Sequence, residues 1–220
     1  EKIFRTQLGK MLPMLKEFEL VFLEGRSEVT EGPAFELMQK YFPNARNCQY
    51  DRVSLDAKGW RIYDEPATTL AWLQDELKRI GPVNGILGFS QGANFATMLA
   101  AQASLGQGMP LDFVVLLCPN APGYVSQLRE LFQAPISPRA FIAYGKQEGY
   151  GAGMDAAFDK AVADGMVTLE KKGEESPALH VAKLYSSHEV FVHDEGHRPL
   201  PADKQQAEKL AQAVKEFMSR

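Results

Sequence analysis

The sequence predicts one α/β domain over residues 1–220, with a mostly parallel sheet and helices on both of its faces. Three observations support this. Short apolar runs alternate with segments of helical periodicity, which is typical of a parallel sheet buried on both sides. Apolar residues make up 45% of the chain, which favours a sizeable core and excludes a disordered protein. A length of 220 residues is within the range that one core can organise.

The first half of the chain opens with an amphipathic segment at residues 3–18, followed by a short buried strand predicted at residues 20–23. Residues 66–80 have the pattern of a helix, because a proline begins the segment and Gly81-Pro82 ends it. The apolar stripe of this predicted helix consists of Leu70, Leu73, Leu77 and Ile80.

The central and final elements alternate in the same way. An apolar strand is expected at residues 83–89, and a helix of small residues follows at 91–103. Further strands are expected at residues 114–117, 141–144 and 190–192. The chain closes with a helix at residues 201–218, whose apolar face carries Leu210, Val214 and Phe217.

Two long excursions interrupt this alternation, at residues 24–64 and 145–188. Long connections within a compact domain are usually functional or disordered. We expect the first to form a wall of a substrate pocket, and the second to be mostly peripheral, with a helix at 154–163. The candidates for the pocket wall are Trp60, Tyr63 and, from a later connection, Tyr124.

Charge and cysteine content limit the classes of partner. A formal net charge of −4 disfavours binding to a nucleic-acid backbone, which requires a basic surface. Cys48 and Cys118 are expected to be reduced thiols. The apolar runs are too short to span a bilayer and no signal peptide is evident, so we expect a cytoplasmic protein.

The most informative motif is the Gly-x-Ser-x-Gly run at residues 88–92, between a predicted strand and a predicted helix. A serine on such a sharp turn has an exposed hydroxyl, and backbone N–H groups of the new helix point at a developing oxyanion. We expect side chains at Gly88 or Gly92 to collide across the turn. Ser90 is therefore the candidate nucleophile, and Gln91 N–H the candidate oxyanion donor.

The candidate general base is His197, because it follows the last strand and completes the order serine, acid, histidine. The acid is expected after the strand at 141–144, where Glu148 is the first candidate. Asp155 and, less strongly, Asp194 are the alternatives. Two of the other three histidines, His180 and His188, are expected at the surface.

Two further patterns are weaker. His193 and His197 have the spacing of a zinc-binding pair, but Gly196 and Pro199 disfavour the continuous helix that such a pair needs. The glycines at residues 149–153 lack the spacing of a dinucleotide-binding loop. We therefore expect neither a metal ion nor an organic cofactor.

Residues 81–93 closely resemble the elbow of the FSH serine hydrolases. Their sequence is Gly-Pro-Val-Asn-Gly-Ile-Leu-Gly-Phe-Ser-Gln-Gly-Ala. Three further features occur in the same order as in the family. They are the predicted helix ending at residue 80, the Gly-x-x-acid turn at 145–148 and the Gly-His pair at 196–197. The resemblance covers most of residues 3–144 and 190–218. It implies an α/β-hydrolase fold without a large cap domain, and hydrolysis of carboxylic esters or thioesters with short to medium acyl chains.

The sequence departs from the family in two ways. The family usually has aspartate where Glu148 stands. The family also begins with an apolar strand and a His-Gly loop that supplies a second oxyanion donor, and neither precedes Ile3 here. We expect that the natural protein is longer and supplies the strand; alternatively, another segment fills its position, or the sheet has closed up and catalysis is lost.

These patterns predict a serine hydrolase in which Ser90 attacks an acyl carbon and His197 transfers the proton. Glu148 would orient the imidazole ring. The expected partner is a small ester or thioester, and the sequence does not determine an oligomeric state. The alternative is a non-catalytic protein of the same fold that binds a partner or a small ligand.

Overall fold

A parallel sheet of four strands forms the centre of the computed structural model, which describes residues 1–43, 45–56, 60–147 and 176–220. The strands are β5 (Gly85–Phe89), β6 (Phe113–Leu117), β7 (Arg139–Gly145) and β8 (His188–His193), adjacent in that order. Phe89 is in register with Leu117, and Leu117 with Ala143. The carboxyl ends of the strands therefore lie along one edge, which is where open α/β sheets bind ligands.

Two small antiparallel sheets precede the main one. Their strands are β1 (Ser27–Glu28) with β2 (Cys48–Gln49), and β3 (Val53–Leu55) with β4 (Arg61–Tyr63). They belong to the first long excursion, for which the sequence predicted no regular element. Strands this short carry too little periodic pattern to be recognised from sequence.

Helices cover both faces of the main sheet, as predicted. The α-helices are α1 (Lys2–Gln7), α2 (Pro33–Tyr41), α3 (Pro66–Ile80), α4 (Gln91–Ser104), α5 (Tyr124–Gln127), α6 (Pro177–Ala182) and α7 (Lys204–Met218). Short 3₁₀ helices lie at Leu12–Leu15 and Arg129–Phe132. On one face α7 packs Leu210, Val214 and Phe217 against Val115 and Phe141. The other face packs against α3, α4 and α6.

Helices α3 and α4 illustrate how the sequence specifies these elements. In α3 the stripe Leu70, Leu73 and Leu77 is buried, and each such side chain contributes about 1.5–3 kcal/mol. The helix ends at Gly81, whose φ of 106° suits glycine. In α4 residues 93–101 are buried, because small side chains let the helix lie close to the sheet.

The segment at residues 20–23 is not the buried strand that its apolar residues predicted. It belongs to no helix or strand, and Val21 is 54% exposed. Leu20 and Leu23 still pack against the core. A strand requires a hydrogen-bonded neighbour, and among the described strands none pairs with this segment. Strand β5 lies at the edge of the main sheet, and β6 is its neighbour among the described strands.

The closing helix begins later than predicted, at Lys204 instead of residue 201. The side chain of Asp203 accepts a hydrogen bond from the backbone N–H of Gln206, which caps the first turn. The predicted helix at residues 154–163 lies outside the described residues. In the part of the chain that the structure describes, no helix combines the length and apolar character needed to cross a membrane.

Candidate active site

Ser90 occupies the sharp turn between β5 and α4. Its φ of 54° and ψ of −116° are unusual for a residue other than glycine, and this strain is typical of a nucleophile elbow. A Cβ atom at Gly88 would overlap the backbone of Gly92. At Gly92, by contrast, the nearest atom to an added Cβ is Tyr50 Cε2 at 3.6 Å, an ordinary contact. The turn therefore requires glycine at position 88. The prediction that a side chain at position 92 would also collide is wrong.

The side chains of Ser90 and His197 meet at the carboxyl edge of the sheet. Ser90 Oγ lies 2.9 Å from Nε2 of His197, within hydrogen-bonding distance. The imidazole ring lies against the ring of Phe89, with 5.0 Å between the ring centroids. A neutral imidazole whose Nε2 is unprotonated can accept the serine proton in this geometry.

The loop that carries His197 is held in place on two sides. The carboxylate of Glu195 accepts hydrogen bonds from the backbone N–H groups of Ala202 at 2.6 Å and Asp203 at 3.1 Å, and from Arg198 at 2.9 Å. On the other side, Gln147 N–H donates to the carbonyl of Glu195 at 3.1 Å. A Cβ at Gly145 would overlap this carbonyl, so the close approach of the two loops depends on glycine.

Glu195 and Asp194 are both ionised acids with structural partners. Desolvation alone would raise the pKa of Glu195, but hydrogen bonds from Asp203 N–H, Arg198 and Ala202 N–H outweigh it and lower that pKa. The pKa of Asp194 is also lowered, mainly by the hydrogen bond and charge of Lys146. Asp194 Oδ1 lies 2.6 Å from Lys146 Nζ, and its Oδ2 accepts from Gln206 at 3.0 Å. The other two acid candidates, Glu148 and Asp155, lie outside the described residues.

Gln91 contributes to the elbow through both its backbone and its side chain. Its N–H belongs to the first turn of α4, where backbone donors have no acceptor within the helix. Its side-chain carbonyl accepts from Tyr50 N–H and its amide donates to the carbonyl of Asp51, each at 2.7 Å. The side chain therefore fastens the segment after β2 to the start of the helix, a role the sequence did not predict.

Asn120 is a polar residue near Ser90 that no sequence motif indicated. It lies in the loop after β6, and its side-chain nitrogen lies 3.5 Å from Ser90 Oγ. The preceding Cys118 has a φ of 48°, and its thiol donates to the carbonyl of Arg198 at 3.2 Å. The signal that could have identified Asn120 is its position just after the strand next to β5.

The three aromatic residues expected in the pocket wall have different environments. Tyr63 and Tyr124 lie in the core, 2% and 0% exposed, so neither presents its side chain to an open cavity here. Burial raises the pKa of Tyr63 and keeps its hydroxyl neutral. Trp60 is partly buried. The centroid of its ring lies 5.2 Å from the centroid of the His180 ring on α6.

The three other histidines differ in burial. His180 is half-buried and His188 is exposed. His193 is buried, and its Nδ1 accepts from the backbone N–H of Glu195 at 3.3 Å. Among the residues that the structure describes, no three His, Cys, Asp or Glu side chains are grouped closely enough to hold a metal ion.

Comparison with known proteins assigns the chain to a family. The family model described as serine hydrolase (FSH1) matches residues 1–152. The chain belongs to the serine hydrolase (FSH1) family. The match includes the elbow at residues 88–92, so the motif on which the sequence-based resemblance depended lies inside the FSH1 region.

Curated relatives of this FSH1 chain are named as esterases. It is 27% identical over 195 residues to Esterase OVCA2 of Bos taurus, covering 79% of this chain and 82% of the relative. It is 35% identical over 126 residues to Esterase FUS5 of Gibberella moniliformis, covering 56% and 53% of the two chains. Membership of the FSH1 family and these relatives together support hydrolase activity.

Solved structures support the fold of the FSH1 chain. The carboxylesterase of Bacillus cereus matches with a TM-score of 0.54 and 17% identity, over 97% of this chain and 81% of that one. The structure titled YahD with malic acid gives the same TM-score at 14% identity, over 97% and 85% of the two chains. At these identities the likeness concerns the fold, and it confirms the predicted α/β-hydrolase class.

Proposed function

We propose that the chain hydrolyses carboxylic esters or thioesters of short to medium acyl chains, through an acyl-enzyme on Ser90. The observation that carries this proposal is the 2.9 Å contact between Ser90 Oγ and His197 Nε2, formed at a strained strand-to-helix turn. A serine used only to connect two elements would need neither the strain nor the imidazole.

The proposed reaction begins with attack by Ser90. His197 Nε2 takes the hydroxyl proton while Oγ bonds to the acyl carbon, and the carbonyl electron pair moves onto its oxygen. Gln91 N–H donates a hydrogen bond to this oxyanion, and the positive end of the α4 dipole stabilises it. When the intermediate collapses, the alcohol or thiol leaves and takes the proton from His197.

Water completes the proposed reaction. His197 takes a proton from a water molecule while the water oxygen bonds to the acyl carbon. Ser90 Oγ then leaves the acyl carbon and recovers a proton from the imidazolium. The products are a carboxylic acid and the free enzyme. Every proton in this sequence passes through His197, so the imidazole must be neutral at the start of each half-reaction.

Glu148 is the proposed acid that orients His197. Support comes from Gln147, which directly precedes Glu148 in the chain and donates its N–H to the carbonyl of Glu195, two residues before the histidine. Asp194 and Glu195 have hydrogen-bond partners that stabilise the loops instead. These contacts favour an acid from the segment after β7 over either of them.

Trp60 is the proposed wall of the acyl pocket. It immediately precedes β4, whose Arg61 N–H donates to the carbonyl of Ala121 at 3.3 Å. Ala121 follows Asn120, which lies beside Ser90. This hydrogen bond joins the residue after Trp60 to the loop that carries Asn120, and an apolar wall near that loop would suit an acyl chain.

The experiment that tests this proposal is a substrate screen with purified protein. Wild type, S90A and the surface control H188A are assayed against p-nitrophenyl esters from acetyl to dodecanoyl and against the matching acyl thioesters of N-acetylcysteamine. We expect turnover of short to medium chains by wild type and H188A, and its loss in S90A. Failure of wild type to hydrolyse any ester or thioester would favour a non-catalytic protein of the same fold.

A further inference from the structure

A chain of hydrogen bonds leads from the nucleophile into the core. Asn120 Nδ2 lies 3.5 Å from Ser90 Oγ, and the backbone N–H of Asn120 donates to Asn94 Oδ1 at 3.1 Å. Asn94 Nδ2 in turn donates to the hydroxyl of Tyr63 at 2.8 Å. Asn94 is 0% exposed and Tyr63 2% exposed, so the chain ends in a closely packed environment.

The donors and acceptors fix the orientation of both amide groups. The backbone N–H of Asn120 can only donate, so the side-chain oxygen of Asn94 faces it, and the Asn94 nitrogen must then face Tyr63. At the other end, Ser90 Oγ can donate its proton to His197 when Nε2 of the imidazole is unprotonated. In that state Oγ accepts from Asn120, and the NH₂ group of the amide faces the serine.

The loop that carries Asn120 is fixed on both sides. Cys118 N–H donates to the carbonyl of Ala143 in β7 at 2.7 Å, and the Cys118 thiol donates to the carbonyl of Arg198, next to His197. Beyond Asn120, the carbonyl of Ala121 accepts from Arg61 of β4. These hydrogen bonds restrict the movement of the loop and hold the side-chain amide of Asn120 near Ser90.

We propose that Asn120 is a further catalytic residue, whose side-chain amide donates a hydrogen bond to Ser90 Oγ and is positioned by Asn94 and Tyr63. The inference rests on the proposed function, because it assigns a role at the same nucleophile. The bond fixes the rotamer of the serine with Oγ toward His197. It also stabilises the negative charge that develops on Oγ as the proton leaves, and again when Oγ leaves the acyl-enzyme.

Variants of Asn120 separate this role from a structural one. Asn120→Ala removes the donor, and Asn120→Asp keeps the shape but replaces the donor with an acceptor. The matched control is Asn84→Ala, because Asn84 is exposed at the opposite end of β5, where it contacts Asp112. Each protein is tested for its rate of reaction with a fluorophosphonate, for kcat and KM with a p-nitrophenyl ester, and for Tm.

We expect both Asn120 variants to lose about tenfold to a hundredfold in kcat and in phosphonylation rate, with KM and Tm near wild type. A purely structural role would instead be rescued by the isosteric Asn120→Asp. Tyr63→Phe serves as a second variant if the loop does not tolerate substitution, and it should lower kcat by about threefold to tenfold by releasing Asn94.

The outcomes distinguish this inference from the proposed function. A wild-type protein that reacts with the fluorophosphonate, with Asn120 variants that react equally fast, would overturn the role of Asn120 alone. If Asn120 variants unfold, unchanged kcat in Tyr63→Phe would overturn it. A wild type that does not react at all would overturn both the nucleophile and its proposed partner.

Discussion

Phe89 and His197 lie in contact, with 5.0 Å between the centroids of their rings, although Phe89 ends strand β5 and His197 belongs to the loop after β8. The aromatic contact supports the imidazole from the side of the sheet. Phe89 is followed directly by Ser90, so the end of β5 places the ring that contacts His197 beside the proposed nucleophile.

The first prediction concerns these two residues. Ser90→Ala and His197→Ala should each lower kcat/KM for ester hydrolysis by a factor of about 10⁴ to 10⁶, because the nucleophile and its base act as a unit. The double variant should be little worse than either single one. His188→Ala, which changes an exposed histidine, should match wild type. Independent, multiplicative losses in the double variant would contradict the shared role.

The second prediction compares two glycines of the elbow. Gly88→Ala should strongly lower Tm and activity, because its Cβ would overlap the backbone of Gly92 and neither backbone can yield cheaply. Gly92→Ala meets only Tyr50 Cε2 at 3.6 Å and gains helix propensity, so its free energy of unfolding should stay within about 1 kcal/mol of wild type. Thermal unfolding of both variants measures the difference. Equal tolerance at the two positions would contradict the geometry of the turn.

The third prediction identifies the acid. Glu148→Gln should lower kcat more than Asp155→Asn or Asp194→Asn, because the orienting carboxylate stabilises the imidazolium that forms in each step. Asp194→Asn should act mainly on stability, since it weakens the contact with Lys146. The comparison uses kcat and Tm for all three variants. Asp155→Asn as the most damaging change would show that the acid lies further along the chain.

The fourth prediction concerns the acid stability of the loop that carries His197. The folded state lowers the pKa of Glu195, so its ionised form stabilises the fold above the ordinary glutamate value of 4.5. That contribution is lost as the pH falls through the lower value in the folded protein. Glu195→Gln should therefore have a lower Tm than wild type at neutral pH, and the difference should shrink in acid. A constant difference across the acid range would contradict this assignment.

Much of the central fold could be predicted from sequence because its signals are local. Helix α3 has a proline start, a glycine end and an apolar stripe, and its bounds match the prediction at both ends. Strand β6 is a continuous apolar run and is buried throughout, which is the pattern of a strand covered on both faces. Residues 20–23 have a similar composition but pair with none of the described strands, so composition alone could not determine whether they form a strand.

The site was predictable only in part. Ser90 belongs to a local motif, and His197 to a characteristic position after the last strand, so both could be singled out from sequence. The contacts of Asn120 and of the Gln91 side chain are made with segments distant in sequence, and no local pattern indicates these partners. Tyr63 was predicted to line a pocket because it lies in a connection, but it ends β4 and is buried in the core.

Covalent labelling tests directly whether Ser90 is the nucleophile. Wild type, S90A and H197A are incubated with a fluorophosphonate at neutral pH, and the modified residue is located by peptide mass spectrometry. We expect one stoichiometric label on Ser90 in wild type, none in S90A, and labelling slowed by orders of magnitude in H197A. An unlabelled wild type, or a label that persists in S90A, would contradict the assignment of Ser90 as the nucleophile.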